Sequence, residues 1–178
     1  MSLHPEIERQ VHEEARALLN GRAPTFDELE RLPYARQVVE EAMRLYPPIW
    51  AMERRALEED EIGGFTIPKG GTVIVASYVM HRHPEFWDRP ERFDPERFTA
   101  AAAAKRPDYL YLPFGSGPRM CIGMSFALAE ATLLLATVIQ QCRFLPAPGA
   151  KVIPHPGITL GVRDGLPMRL VWREEERQ

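Results

Sequence analysis

A glycine-rich segment with one cysteine, FGSGPRMCIG at residues 114–123, constrains this chain more than any other feature. Gly115 and Gly117 permit backbone angles and close approaches that a side chain would forbid, and the proline that follows stiffens the turn. From Met124 the chain continues as SFALAEATLLLATVIQQ, which is rich in alanine and leucine and free of glycine and proline, and this composition predicts a long helix. The loop can therefore pass close under a flat ligand, and Cys121 lies near the start of the predicted helix.

Three roles for Cys121 are open on this pattern. A cysteine near a helix start is most often a small buried apolar residue. A zinc site would need further ligands, and the second cysteine, Cys142, lies about six turns along a continuous helix that rises about 1.5 Å per residue, so the two cannot share one ion. A single thiolate fits a cofactor that brings its own equatorial ligands, which is haem.

A second motif lies upstream, in LPYARQVVEEAMRL at residues 32–45. Pro33 suits a first helical turn, and apolar residues recur along one face of the predicted helix. Glu41 and Arg44 are three residues apart and therefore lie on the same side of it. Taken alone, such a pair is usually a solvated surface pair worth about 0.3–0.5 kcal/mol.

The third motif is the tetrapeptide PERF, which occurs at residues 90–93 and again at residues 95–98. On its own the tetrapeptide is typical of a turn, because proline and charged residues are common there. We choose the second copy, with Arg97, because Phe98 ends the longer run that begins at His81.

The three motifs, in this order along the chain, resemble those of the cytochrome P-450 family. The resemblance implies that Cys121 is the proximal axial ligand of haem b (iron protoporphyrin IX) and that Arg119 pairs with a haem propionate, which suits a guanidinium fork. It also implies that Phe114 shields the sulfur and that Gly123 lets the helix pack close beneath the porphyrin. The residues that match the haem-binding signature are Phe114, Gly115, Gly117, Arg119, Cys121 and Gly123.

The same resemblance implies a structural network of Glu41, Arg44 and Arg97 that holds the loop before the cysteine. A carboxylate shared between two guanidinium groups is costly to bury unless every donor is satisfied, so its use would be to fix geometry. Arg54, next to Arg55, stands where family members carry an arginine to the second propionate, although an exposed strand arginine is as good an interpretation.

Two further segments resemble substrate-facing parts of the family. The first, Ile49 and Trp50, follows the second helix, although simple core packing of the tryptophan is the more common arrangement. The second, Ile158 and Thr159, belongs to the segment 157–170, which resembles the last hairpin of the family and its pocket-facing tip.

The expected fold is mainly α with a minor β part (α+β), the carboxyl-terminal portion of the cytochrome P-450 fold. A hairpin is expected at residues 62–76, with residues 68–71 as its turn. Helices are expected near residues 5–20, 26–31, 33–46 and 122–142, and strands near residues 52–57, 64–67, 72–77, 143–145, 158–162 and 167–172.

The resemblance starts at the J helix, near residues 5–20, and runs to the end of the chain. We expect residues 1–178 to form a single haem-ligand portion of a longer enzyme, in which the amino-terminal half and the distal oxygen-activating helix are absent. Residues 1–3, Met-Ser-Leu, look like a vector-derived start.

Composition and charge set mild bounds. A net charge of -3 gives no excess of positive charge of the kind that nucleic-acid binding requires. A composition of 45% hydrophobic and 26% charged residues is typical of a soluble domain. No membrane span is expected, because residues 124–140 are interrupted by Ser125, Glu130 and Thr132. Two cysteines provide no disulfide framework and suit a reducing, bacterial-type cytoplasm, with an anchor in the absent half left open.

The resemblance implies a haem-thiolate monooxygenase that inserts one oxygen atom from O2 into a small hydrophobic substrate. Its partner would be a ferredoxin or flavin reductase that docks near Cys121. A peroxide-using or isomerising haem-thiolate enzyme would carry the same motifs, and the chain could also fold as a scaffold without haem. We expect this chain alone to be inactive and prone to self-association through the truncated face.

Overall fold

The structure is a computed structural model that describes residues 1–173. The expected mainly helical fold with a minor β part is confirmed. The α-helices of the described residues are α1 (Pro5–Leu19), α2 (Pro33–Leu45), α3 (Ser77–Met80), α4 (Ala100–Ala103) and α5 (Met124–Gln141). The expected helix near residues 26–31 is a 3₁₀ segment (Phe26–Arg31), and two shorter 3₁₀ segments are Pro95–Phe98 and Gly117–Arg119.

Helix α1 forms because a proline opens it and apolar residues recur every four positions along it. Asn20 ends the helix in the left-handed conformation (φ 47°), and its backbone N–H donates to the carbonyl of Arg16. The resulting stripe is fully packed against the rest of the molecule; its members are Ile7, Val11, Ala15 and Leu19.

The start of α2 is held by a side chain from α1. The carboxylate of Glu14 accepts hydrogen bonds from the backbone N–H groups of Tyr34 and Ala35, both at 2.8 Å. The first N–H groups of a helix have no partner within the helix, so Glu14 satisfies two of them. Burial raises the pKa of Glu14, and the two backbone donors partly oppose that rise.

The main core lies where α1, α2 and α5 meet. It consists of Ile7, Val11, Ala15, Leu19, Leu32, Ala35, Val38, Ala136 and Ile139. The expectation that no segment has the length and composition of a membrane span is wrong, because α5 meets both criteria over 18 residues. The interrupting polar residues do not prevent this, and Thr132 is buried, its hydroxyl donating to the carbonyl of Leu128 at 2.7 Å.

The strands of the described residues form four antiparallel pairs. These are β1 (Met52–Arg55) with β4 (Thr72–Val75), β2 (Asp60–Ile62) with β3 (Phe65–Ile67), β5 (Cys142–Pro146) with β8 (Met168–Trp172), and β6 (Pro154–Pro156) with β7 (Leu160–Val162).

The hairpin expected at residues 62–76 is wrong. Strand β3 pairs with the preceding β2, in the register Ile62 opposite Phe65, while β4 pairs back with β1. Gly63 and Gly64 connect β2 to β3 with φ values of 59° and 82°, as a two-residue hairpin turn requires. Residues 68–71 therefore link two separate sheets and do not form the turn of one hairpin.

The hairpin expected at residues 157–170 is also wrong. Strand β7 pairs with the preceding β6, and β8 pairs with β5, which directly follows α5. The sequence did not predict β6, because the strand contains Pro154 and Pro156, and proline lacks the N–H of a ladder hydrogen bond and is confined to strand edges. The hairpin tip is residues 157–159.

Candidate functional site

The segment 114–123, which we call the Cys121 loop, is closed by its own backbone. The N–H of Cys121 donates to the carbonyl of Phe114 at 2.9 Å. Gly115 and Gly117 have φ values of 74° and 69°, in the left-handed region that favours glycine. Helix α5 begins at Met124, two residues later than the expected start, so the cysteine precedes the first turn.

The thiol of Cys121 lies on the surface, whereas the sulfur of Cys142 is buried. The interpretation of Cys121 as a small buried apolar residue is therefore wrong. Residues 1–173 also contain no group of three or more His, Cys, Asp or Glu side chains that could hold a metal ion. This leaves the zinc alternative without the further ligands that it needs.

The glycines of the loop leave room on two sides. A Cβ built on Gly117 would meet no heavy atom within 4 Å, and one built on Gly123 would lie 3.8 Å from the sulfur of Cys121. A Cβ on Gly115 would lie only 3.2 Å from the sulfur of Met52, so β1 packs tightly against the loop. Gly115 is thus required for packing and for backbone angle, Gly117 faces open space, and a Cβ on Gly123 would be in van der Waals contact with the sulfur of Cys121.

Exposed and half-buried apolar residues lie near Cys121 along the chain. Ile122 is completely exposed, and Phe126, on the first turn of α5, is 71% exposed. Phe114 is half-buried, and the guanidinium-bearing Arg119 is exposed. An apolar surface next to a thiol and a cation suits a ligand with an apolar face and an anionic edge.

A cavity of about 570 Å³ lies behind the Cys121 loop, between it, α2 and the start of α5. Cys121 is exposed and is not among the residues that line this cavity. The lining residues are Arg36, Glu40, Met43, Asp108, Tyr109, Tyr111, Leu112, Pro113, Phe114, Gly115, Ser116, Met120, Met124 and Leu128.

The loop is supported by a fully buried ion pair on α2. The guanidinium of Arg44 donates to both carboxylate oxygens of Glu41, from Nε at 2.6 Å and from Nη2 at 2.8 Å. Arg44 also donates to the carbonyl of His81 at 2.7 Å and to that of Arg92 at 3.1 Å. These partners distribute the charge of the guanidinium and fix its position.

The second PERF tetrapeptide brings its arginine to this pair. The Nε of Arg97 lies 3.6 Å from Oε1 of Glu41, and its Nη2 donates to the carbonyl of Asp88 at 2.6 Å. The side chain of Arg92, from the first copy, is exposed. The structure therefore brings together the three side chains that the sequence grouped, Glu41, Arg44 and Arg97.

Sequence reasoning missed one buried side chain of this site, His81. Its Nε2 accepts the backbone N–H of Leu112 at 2.8 Å, and its Nδ1 lies 3.3 Å from the carbonyl of Arg44. Burial lowers the pKa of His81 to about 4, and nearby guanidinium groups act in the same direction. Its neighbours in the polar run HRHPE gave no sign of burial.

Sequence reasoning also missed Arg106. Its guanidinium lies 4.4 Å from the ring centroid of Phe98 and 5.3 Å from those of Trp87 and Tyr111, and it donates to the carbonyl of Arg97 at 2.6 Å. Cation–π contacts of this kind pin the segment before the Cys121 loop onto the PERF turn.

The two predicted substrate-facing segments lie side by side. The indole N–H of Trp50 donates to the carbonyl of Gly157 at 2.8 Å, and the N–H of Leu160 donates to the carbonyl of Pro48 at 2.8 Å. Ile158 is 98% exposed and Ile49 is 40% exposed. Thr159 is exposed and Trp50 is half-buried, so this wall presents apolar groups to the outside.

Arg54 and Arg55 lie on opposite faces of β1, because successive strand residues alternate. Arg55 lies beside Gly70, whose added Cβ would be 3.4 Å from Nη2 of Arg55. Arg54 shares its face with Met52, the residue that packs on the Cys121 loop, and its side chain is exposed. Of the two arginines, Arg54 is therefore on the side of the loop.

A model of the family described as Cytochrome P450 matches residues 1–163 of this chain. The cyclooctat-9-en-7-ol 5-monooxygenase of Streptomyces melanosporofaciens is 42% identical over 149 residues, which cover 84% of this chain and 32% of that protein. Cytochrome P450 3A16 of Mus musculus is 44% identical over 147 residues, which cover 82% of this chain and 29% of that protein. The chain therefore spans less than a third of the length of these two relatives.

The fold agrees with these sequence matches. The crystal structure of the cytochrome P450DA heme domain matches with a TM-score of 0.89 at 32% identity, over 96% of this chain and 38% of that chain. The resemblance that the three motifs indicated is confirmed. This chain belongs to the cytochrome P450 family and corresponds to the carboxyl-terminal part of its fold.

Proposed function

We propose that this chain is the proximal haem-ligand portion of a haem-thiolate monooxygenase and that Cys121 is the axial ligand. The observation that carries the proposal is the exposed thiol on a closed, glycine-bearing loop. That loop is anchored through Leu112 and His81 to the buried pair of Glu41 and Arg44.

The donor chemistry of the site fits haem. One exposed thiol without other metal-ligating side chains around it, within the part of the chain that the structure describes, suits a metal that arrives with four ligands of its own. The open space beside Gly117 and the exposed apolar groups of Ile122 and Phe126 suit the flat apolar face of a porphyrin. We infer that the porphyrin is protoporphyrin IX, as in haem b.

Within this proposal the cations of the site hold the edge of the cofactor. Arg119, on the Cys121 loop, and Arg54, on β1, are exposed and would each pair with a propionate. Phe114 would shield the sulfur, and Gly115, Gly117 and Gly123 would allow the close approach. When bound, thiolate-ligated haem supplies O–O cleavage and transfer of one oxygen atom to substrate.

The remaining residues of the site would bind and orient a substrate. Ile49, Trp50, Ile158 and Thr159 offer a mainly apolar wall that suits a small hydrophobic molecule and excludes water from it. The 42% identity to a protein named as a monooxygenase supports this reaction class. We further propose that a ferredoxin or a flavin reductase delivers electrons at the surface near the Cys121 loop.

We also propose that these 178 residues alone retain haem weakly and do not turn over. The apolar groups around the thiol are open to solvent, so much of the contact that holds a porphyrin is not supplied by the described residues. The same exposed groups favour self-association. Light scattering that shows a monomer at all concentrations would contradict the self-association.

The test is the reduced carbon monoxide difference spectrum of the chain after reconstitution with excess haemin. We expect a substoichiometric thiolate-type Soret band that Cys121→Ser abolishes. Cys142→Ser is the matched control, since the sulfur of Cys142 is buried, and it should leave the band unchanged. A thiolate-type band that persists in Cys121→Ser would exclude Cys121 as the ligand, and stoichiometric haem that survives gel filtration would contradict the weak retention.

A further inference from the structure

A histidine lies between helix α2 and the segment that enters the Cys121 loop. His81 is completely buried, and its ring nitrogens contact the backbone on both sides. Its backbone carbonyl accepts a hydrogen bond from Nη1 of Arg44 at 2.7 Å, while its Nδ1 lies 3.3 Å from the carbonyl of Arg44. Arg44 and His81 are thus joined by two contacts, one made by the guanidinium of Arg44 and one made by the ring of His81.

The two ring nitrogens of His81 have distinct tasks. A carbonyl accepts a hydrogen bond, so the nitrogen next to the Arg44 carbonyl carries the proton as Nδ1–H. A backbone N–H donates, so Nε2 offers its lone pair to Leu112, at 2.8 Å. The ring is neutral at pH 7, since burial and the guanidinium groups of Arg44, Arg82 and Arg106 disfavour the cation.

The bond to Leu112 lies next to the hydrogen bonds that shape the Cys121 loop. The carbonyl of Leu112 accepts the N–H of Gly115 at 3.2 Å, and the carbonyl of Phe114 accepts the N–H of Cys121 at 2.9 Å. Leu112 therefore precedes the loop by two residues, and its carbonyl accepts the hydrogen bond from the second residue of the loop, Gly115. Whatever fixes the amide of Leu112 also fixes where the loop begins.

We propose that His81 is a positioning residue for Cys121: the Nε2 lone pair holds the Leu112 amide and ties the loop to the carboxyl-terminal turn of α2. The significance of this tie for haem ligation rests on the proposed function. The tie itself is a property of the chain and is measured without haem.

A matched pair of variants separates this role from core filling. The side-chain oxygen of glutamine reaches the position of Nε2, whereas the amide of asparagine reaches only that of Nδ1. His81→Gln therefore keeps the acceptor for Leu112, and His81→Asn keeps the donor for Arg44. If His81 merely filled space, the larger glutamine would have no specific advantage at the loop.

The experiment is hydrogen exchange of the haem-free 178-residue chain, together with the alkylation rate of Cys121 in a Cys142→Ser background. Loss of the acceptor should speed exchange of the Leu112 amide roughly ten- to a hundredfold in His81→Asn. His81→Gln should stay within about threefold of the parent chain, because its bond to Leu112 remains. The alkylation rate of Cys121 should differ from that of the parent chain in His81→Asn and should match it in His81→Gln.

The possible outcomes decide the proposal. An His81→Asn variant that fails to fold while His81→Gln folds with parental protection also supports the role of Nε2. Equal exchange at residues 112–123 in the two variants, or loss of folding in both, overturns it. Failure of the proposed function is seen separately, as an unchanged thiolate-type band in the haem-loaded Cys121→Ser variant, a measurement that does not involve His81.

Discussion

Replacement of Arg44 by methionine tests whether the buried pair on α2 organises this part of the fold. Arg44→Met keeps an unbranched apolar stem and removes the guanidinium. It removes both hydrogen bonds to Glu41 and leaves the carbonyls of His81 and Arg92 without those donors. The carboxylate of Glu41, which is completely buried, then keeps the Asp94 N–H at 2.8 Å and the more distant Arg97.

The expected loss follows from that burial. Breaking a fully buried ion pair by removing one partner costs about 3–5 kcal/mol, because the remaining buried charge loses its nearest counter-charge. Domains of this size are stable by about 5–15 kcal/mol, so the loss is roughly a fifth or more of the total. With a urea dependence of about 2 kcal/mol per molar, the midpoint of unfolding should fall by about 2 M.

The assay is equilibrium unfolding in urea, followed by circular dichroism and by tryptophan fluorescence. The ring of Trp87 lies 5.0 Å from the guanidinium of Arg44 and makes it a local reporter. The control is Arg9→Met, which removes a 3.0 Å ion pair with Glu13 whose side chains are 64% and 59% exposed. That change should cost less than about 0.5 kcal/mol.

A double-mutant cycle tests the reason for the loss. In Glu41→Gln with Arg44→Met no charge of the pair is left stranded, so the double variant should lose less than the sum of the single losses, by about 1–3 kcal/mol. Additive losses, or an Arg44→Met variant as stable as Arg9→Met, would refute the reasoning.

Three further outcomes are expected. The pKa of His81 is about 4 in the folded chain against an ordinary value of 6.5, so the unfolded chain binds the proton at higher pH than the folded chain does. The free energy of unfolding should therefore fall by about 3 kcal/mol as the pH is lowered from above 6.5 to about 4. His81→Gln should remove that part of the slope in urea midpoints measured against pH, and an identical slope would contradict it. Gly117→Ala should cost about 1 kcal/mol for its positive φ, and Gly115→Ala more than that, because its Cβ would also press on the sulfur of Met52; equal midpoints would contradict the packing argument. Glu14→Ala should cost about 1–2 kcal/mol and speed exchange of the amides at the start of α2, and unaltered exchange there would show that the cap is not needed.

The sequence predicted the helices α1, α2 and α5 correctly, because interactions between residues close in sequence determine where a helix forms. Proline at the first helical turn and apolar residues every three or four positions predicted α1 and α2 to within a few residues. The absence of glycine and proline after Met124 predicted α5. Each of these signals acts within one or two turns of chain, so sequence alone contains it.

The sequence did not predict which strands pair, because pairing joins residues that are distant in sequence. Strand β8 pairs with β5, across more than 20 residues, and β4 pairs with β1 across the whole β2–β3 hairpin. Alternation within a strand does not specify its partner. The Gly63-Gly64 pair was a local signal for the turn between β2 and β3, but the alternating pattern of residues 62–76 favoured a single hairpin with its turn at residues 68–71.

In the candidate site, the sequence motifs together with their resemblance to a family singled out Cys121, the glycines around it and the pair Glu41 and Arg44. Tertiary structure decided what supports them. It buried His81 completely and Arg106 in part, although both come from polar segments, because they pack between α2, the PERF turn and the chain that enters the loop. Burial and long-range hydrogen bonds depend on which surfaces meet, and that is settled only when the helices and loops pack together.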